Sequence, residues 1–117
     1  MTLSLCMIVK NEADVLARAL GNASAYADEI IVVDTGSTDG TKGIAKKLTD
    51  KVFDYEWHDD FAAARNYALS KATCDLWMWL DADDIVPPET ARGIAELVRA
   101  FPTGDAVVML PSVLDTD

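Results

Sequence analysis

Five short apolar runs punctuate the chain: Ser4–Val9, Glu29–Asp34, Lys51–Trp57, Leu76–Asp81 and Ala106–Leu110. Four of them are apolar nearly throughout, the pattern of a strand covered on both faces. Lys51–Trp57 instead alternates, with Val52, Asp54 and Glu56 opposite Phe53, Tyr55 and Trp57, and this predicts an edge strand or one with a solvated face. The segments between the runs carry helical spacing. Asn11 is expected to cap a first helix with Asp14 at its third position, a stripe of Val15, Leu16, Ala19 and Leu20, and a stop at Gly21. A second helix follows Asp39-Gly40 and carries Ile44, Ala45 and Leu48; a third starts near Asp60 and shows Phe61, Ala64, Ala68, Leu69 and Ala72. The fourth opens at Pro87-Pro88-Glu89 and is expected to bury Ile94, Leu97, Val98 and Phe101. Strict alternation of the two kinds of element predicts an α/β fold, an open, mostly parallel sheet of about five strands with helices on both faces.

Ligands of such sheets sit beyond the carboxyl ends of the strands, so the residues that follow each run are the ones to weigh. They are Lys10, Asn11 and Glu12, then "DTGSTDGT" from Asp34 to Thr41, then Asp81, Asp83 and Asp84. Ser37 to Thr41 suit a turn and a helix cap, because Gly, Ser, Thr and Asp serve such connections anyway. Asp34 differs, since it ends an apolar strand where a carboxylate can accept hydrogen bonds from a base or a ribose. In "LWMWLDADD" three carboxylates fall within four positions, and they repel one another unless a pKa rises or a cation intervenes. If the strand continues to its end, the pleat turns Asp81 and Asp83 to the same side. Two oxygen ligands on one side suit Mg²⁺ or Mn²⁺, which take their other ligands from water and phosphates. The competing reading is a solvated acidic turn.

Composition narrows the classes. At 117 residues the chain is about one domain's worth. Twenty acidic residues against ten basic ones give a net charge of −10, which disfavours broad attraction to nucleic acid or anionic lipid. No apolar run reaches the roughly 18 residues of a membrane-spanning helix, and Asn11 and Glu12 cut the first run short of a typical signal peptide. These features predict a cytoplasmic location, at most at the inner face of the membrane. Cys6 and Cys74 show no metal-site spacing and are expected to be buried thiols. His58, the only histidine, stands beside Asp59 and Asp60 and is expected to be solvated.

"SLCMIVKNEADVLARAL", "ADEIIVVDTGSTDGTKGIAKKL" and "FAAARNYALSKATCDLWMWLDADD" follow one another in an order and spacing that resemble the inverting glycosyltransferases of family 2. The resemblance covers nearly the whole chain, and "MIVKNE", "VDTGSTDGT" and "ARNYALSKA" look most like the bacterial branch that modifies cell-surface glycans or is fused to repeat domains. It implies the GT-A fold, with a Rossmann-like nucleotide-binding half, and a nucleoside-diphosphate sugar as donor, a UDP-sugar favoured. Residue by residue, it implies that Val9, Asn11 and Glu12 line the base pocket, that Asp34 helps hold the nucleoside, and that Arg65 contacts the nucleotide. Asp81 would lie near the ribose and Asp83 on a Mg²⁺ or Mn²⁺ ion bridging the two phosphates, where the metal assists departure of the nucleoside diphosphate. A guanidinium suits its place, since it pairs with a carbonyl or phosphate in bidentate fashion. On residues alone, Arg65 with Asn66 suits a helix surface pair and Glu12 a first-turn charge on a helix dipole.

Two departures accompany the resemblance. The family often carries a second Asp after the one ending the second strand, and here that place is Thr35. The family's general base, which must reach the acceptor hydroxyl, comes from a later segment that no residue here matches; Asp115 and Asp117 stand too soon after the fifth run. The expectation is therefore a single nucleotide-sugar-binding domain over residues 1–117, a truncated transferase lacking its acceptor segment, with an unknown acceptor and with apolar surface that invites self-association. A non-catalytic nucleotide-sugar-binding module is the alternative. A haloacid-dehalogenase-type phosphatase lacks its later Lys and acidic motifs, with Ile85 where Thr or Val is usual. A receiver domain fails at Lys-Asn-Glu, Trp57-His58-Asp59 and Pro-Ser, and a nucleotidylyltransferase lacks its Gly-rich phosphate loop.

Overall fold

The structure is a computed structural model that describes residues 2–57, 59–74, 76–82 and 86–100, with the backbone of Met109 and Leu110. His58, Asp83, Asp84, Ile85, Phe101, Asp115, Asp117 and the start of the fifth run lie outside the described residues. The elements are β1 (Leu3–Val9), α1 (Ala13–Ala23), β2 (Glu29–Asp34), α2 (Thr41–Leu48), β3 (Val52–Asp54), α3 (Phe61–Ser70), β4 (Leu76–Trp79), α4 (Pro88–Ala100) and a two-residue β5 (Met109–Leu110). All strand pairs are parallel, and the spatial order is β3-β2-β1-β4-β5. The α/β expectation holds, with β5 contributing only its short backbone pairing.

The pleat sorts the apolar runs into two layers. Leu3, Leu5, Met7 and Val9 of β1, Val32 of β2, and Leu76, Met78 and Leu80 on or beside β4 face one side, where Leu16, Leu20, Ala45, Ile94 and Val98 of α1, α2 and α4 cover them. Cys6, Ile31 and Val33 face the other side, where α3 lays Ala68 against them and Ile8, Tyr67 and Trp79 fill the margin. Helices thus cover both faces, three against one. Burial pushes the Cys6 thiol up to about 12, with Glu29 adding to the effect, so this cysteine is an inert part of the core.

Several expectations give way to the tertiary context. The alternating run yields only three strand residues, because β3 is an edge strand paired with Val32 to Asp34 alone. β4 stops at Trp79, before Asp81. Gly21 does not stop α1, which continues to Ala23. Three residues assigned to buried stripes, Leu48, Phe61 and Leu97, are exposed, and Cys74 is only partly buried.

The β1–α1 connection departs furthest from the local rule. Asn11 is in the left-handed region with φ 56°, and α1 has no side-chain cap of its own. Its first amides are satisfied instead by the β2–α2 loop. Asn11 N donates to Ser37 Oγ (2.9 Å), Glu12 N to Thr41 Oγ1 (2.8 Å) and Ala13 N to Asp39 Oδ2 (3.3 Å). Asn11 Oδ1 answers by accepting from Thr38 N at 2.8 Å. The Thr41 hydroxyl, fully buried, passes the chain on by donating to Asp39. These bonds from Thr41 hold the Asp39 carboxyl below its ordinary range.

Candidate functional site

The strand order reverses direction between β1 and β4: β2 and β3 lie on one side of β1, and β4 and β5 on the other. Such a switch point opens a crevice at the carboxyl ends of the two strands. A cavity of about 180 Å³ occupies it, lined by Ile8 of β1, by Trp79, Leu80 and Asp81 at the end of β4, and by Phe61 and Arg65 of α3. A second cavity of about 260 Å³ adjoins it, lined by Val9, Lys10, Glu12, Thr35 and Trp57, and sharing Ile8 and Phe61 with the first. The two form one concavity with Phe61 between its lobes.

Asp34 ends β2 at the level of Val9. Its Oδ1 accepts from Gly36 N at 2.8 Å and Ser37 N at 2.7 Å, which shapes the turn, and Gly36 has the φ of 115° that glycine tolerates best. Its Oδ2 is buried and has no hydrogen-bond partner among the described residues. A buried carboxylate oxygen without a donor is costly, and a ligand N–H or O–H would relieve it. Thr35, where the family often has a second Asp, turns inward: its amide and its hydroxyl both donate to Val9 O, at 3.0 and 3.1 Å. That residue closes the floor between β1 and β2.

Of the sequence-assigned residues, the structure brings Val9 and Glu12 into one lobe and Arg65 and Asp81 into the other. The Asn11 side chain is engaged by the β2–α2 loop and lines neither lobe. Asp34 also lines neither, while leaving Oδ2 unsatisfied nearby in the strand register. Asp83 lies outside the described residues, and among the described residues no three His, Cys, Asp or Glu side chains are grouped to hold a metal. The exposed Asp81 carboxylate is a hard oxygen donor of the kind Mg²⁺ and Mn²⁺ take.

Three aromatic residues of the concavity escaped the sequence reading. Trp57 and Phe61, expected in strand alternation and a buried stripe, are 39% and 55% exposed and meet edge to face at 6.3 Å. Trp57 Nε1 donates to Asp59 Oδ1 at 3.1 Å. Trp79, counted only as part of an apolar run, lies under Arg65, whose guanidinium carbon is 4.8 Å from the indole centroid. The signal was available in the four-residue spacing of Trp57 and Phe61 across a helix start, where large apolar residues have no core to enter.

The opposite rim is built differently. A wider hollow of about 630 Å³ lies there, and the buried Glu29 is among the residues that line it. Its carboxylate accepts from Ser4 Oγ (2.7 Å), Thr73 N (2.9 Å) and Thr73 Oγ1 (2.7 Å), and pairs with Lys51 Nζ at 2.7 Å. Burial alone would raise this carboxyl, but the bonds from Lys51, Ser4 and Thr73 outweigh it and hold it down at about 2.

Among the described residues no helix is long and apolar enough to cross a membrane. Comparison with known proteins places the architecture. Residues 4–116 match the family model for glycosyl transferase family 2. The chain is 49% identical over 81 residues to a TPR repeat-containing protein of Synechococcus elongatus, covering 69% of this chain and 20% of that one. It is 35% identical over 102 residues to the SPbeta prophage-derived glycosyltransferase SunS of Bacillus subtilis, covering 86% and 24%. The crystal structure of S. aureus TarS 1-349 superposes with a TM-score of 0.71 at 26% identity, over 85% of this chain and 32% of that one; its complex with UDP gives 0.66 at 24% identity. The chain thus spans about a fifth to a third of the proteins it matches. With the parallel GT-A-type sheet, the concavity at its switch point and a family match over almost every residue, the chain belongs to glycosyl transferase family 2.

Proposed function

We propose that this chain binds the nucleoside-diphosphate sugar, a UDP-sugar by preference, in an inverting glycosyltransferase that acts on a separate acceptor. The observation that carries the reading is the switch-point concavity, in which Arg65 and Asp81 share one lobe and Val9 and Glu12 the next. In this reading a planar base lies in the lobe floored by Val9 and Thr35, with Glu12 at its edge. The unsatisfied Oδ2 of Asp34 accepts a hydrogen bond from the nucleoside, Arg65 pairs with a base carbonyl or a phosphate, and Asp81 receives the ribose hydroxyls. Asp83, two positions further on, supplies an oxygen ligand to Mg²⁺ or Mn²⁺. That ion would neutralise charge on the departing diphosphate. Binding in S. aureus TarS, whose structure in complex with UDP shares this fold, supports the choice of ligand.

Deprotonation of the acceptor hydroxyl requires a base within hydrogen-bond reach, and none of the residues assigned here takes that part. The proposal is accordingly for donor binding, with acceptor chemistry supplied by other residues of the enzyme. Calorimetric titration with UDP, with and without Mn²⁺, and with GDP as competitor, tests it. Metal-dependent UDP binding that Asp83→Ala abolishes while thermal stability stays the same is the expected result. Absence of UDP binding by the wild-type chain overturns the proposal, and unchanged affinity in Asp83→Ala overturns the metal assignment.

A further inference from the structure

Trp57 and Phe61 meet across the start of α3, their ring planes 69° apart and their centroids 6.3 Å from one another. Side chains pin the turn that joins them. Trp57 Nε1 donates to Asp59 Oδ1 at 3.1 Å, Asp59 takes the left-handed backbone with φ 57°, and Asp60 caps α3 by accepting from Ala63 N at 3.1 Å. Asp tolerates that backbone region better than most side chains. Phe61 keeps the helical spacing of Ala64 and Ala68, which α3 buries, yet more than half of it is exposed, and Trp57 is exposed as well. Solitary exposed aromatics are common. Here two in mutual contact border one hollow.

That hollow is the lobe of about 260 Å³, which also takes in Val9, Thr35, Lys10 and Glu12. The amide and hydroxyl of Thr35 both donate to Val9 O, and the indole N–H of Trp57 donates to Asp59. The lobe therefore combines an aromatic corner, whose own polar groups are engaged within the fold, with the charged residues Lys10 and Glu12. A nucleobase matches that combination: it has two π-faces and carries its polar atoms on its edge, and an aromatic side chain stacks on such a face whatever the base. A pyranose carries hydroxyls around its whole ring and calls for donors and acceptors that Trp57 and Thr35 already use. A second protein copy needs roughly 800 Å² on each partner, far more than such a lobe offers.

We propose that Trp57 is the stacking residue for the base of the nucleotide donor, with Phe61 bracing its ring. The proposal rests on the donor site assigned above and adds an aromatic wall to the lobe in which the base lies.

The test uses two nucleotides on the whole chain, UDP and 5,6-dihydro-UDP. The second keeps the two carbonyls and N3–H of uracil, but saturation of its C5–C6 bond leaves the ring neither flat nor aromatic. Wild type is expected to bind UDP about tenfold more tightly than the dihydro form in calorimetry. Trp57→Leu should weaken UDP about tenfold and reduce the preference to within about twofold, the coupling expected if ring and base interact directly. Trp57→Phe, which retains a π-face, should stay within about threefold of wild type for UDP. Most of the quenching of indole emission by UDP should disappear in Trp57→Phe, a readout that does not depend on the leucine variant folding. Equal preference for UDP over its dihydro form in wild type and Trp57→Leu, no preference in wild type, or quenching that Trp57→Phe retains in full overturns the proposal. So does UDP binding that Trp57→Leu leaves unchanged, and it spares the donor site. If that variant weakens only UDP-glucose, the corner serves the sugar; if it only dissolves a dimer of the chain, the corner serves a second copy; either result overturns base stacking. If wild type binds no UDP, the donor site falls and the stacking role falls with it.

Discussion

The two rims of the sheet carry comparable polar inventories and use them in opposite ways. At the amino rim, Glu29 is buried and every partner it needs is in place: Ser4, Thr73 and Lys51. At the carboxyl rim, Asp34 is buried as well, yet one of its oxygens has no partner among the described residues, and the exposed Phe61 and Trp57 line the concavity there. A carboxylate closed within its own fold stabilises that fold. A carboxylate left half satisfied leaves a buried acceptor unpaired, at a cost to the fold. The difference separates a carboxylate whose bonds tie the sheet together from one whose bonds are incomplete, although both sit at strand ends.

The comparison breaks if either rim behaves like the other. The largest effect is expected from Glu29→Ala, which strands the donors of Ser4, Thr73 and Lys51: urea unfolding should show a loss of about 2–4 kcal/mol. UDP affinity of the folded fraction should be unchanged, and a parallel fall in affinity would mean that the rims are not independent. A smaller effect follows from pH. The Glu29 carboxyl lies at about 2 in the fold against an ordinary 4.5. A depressed carboxyl contributes its full stability above the unfolded value and loses it as pH falls through the folded one. The melting-temperature advantage of wild type over Glu29→Gln should therefore be complete above pH 4.5, shrink below it, and vanish near pH 2; a constant advantage across that window would contradict the hydrogen-bonded carboxylate. The smallest change in stability is expected at the other rim, where Phe61→Ala should shift unfolding by under about 0.5 kcal/mol because the ring is 55% exposed. Its effect should appear in UDP affinity instead, and a stability loss matching a core truncation would place Phe61 with the sheet's supports.

Much of the architecture was legible because β1 and β2 are nearly continuous apolar runs, which in a chain of this length have few alternatives to a doubly covered strand. Periodicity failed where exposure depends on which helix covers which strand. Leu48, Phe61 and Leu97 keep helical spacing but are exposed. Asn11 failed for another reason: capping rules look three residues ahead, whereas the partners of this helix start come from positions 37 to 41. At the site, Glu12, Arg65 and Asp81 were legible only through family resemblance, since each on its own suits a surface charge. Trp79 was hidden in plain apolar composition, because the contact of its indole face depends on a guanidinium fourteen positions earlier in the chain.

The loop from Asp34 to Thr41 resembles an ordinary surface connection, rich in small polar residues and seemingly open to alteration. Its atoms instead terminate a helix that begins more than twenty positions upstream. Peptide inserted there, a protease nick, or new chain termini created by permutation would leave the amides of residues 11–13 without acceptors and loosen α1 as well as the loop itself. The first βα unit therefore has no finished form until the second has been synthesised, and a nascent chain cut short before Thr41 would emerge with its first helix still fraying.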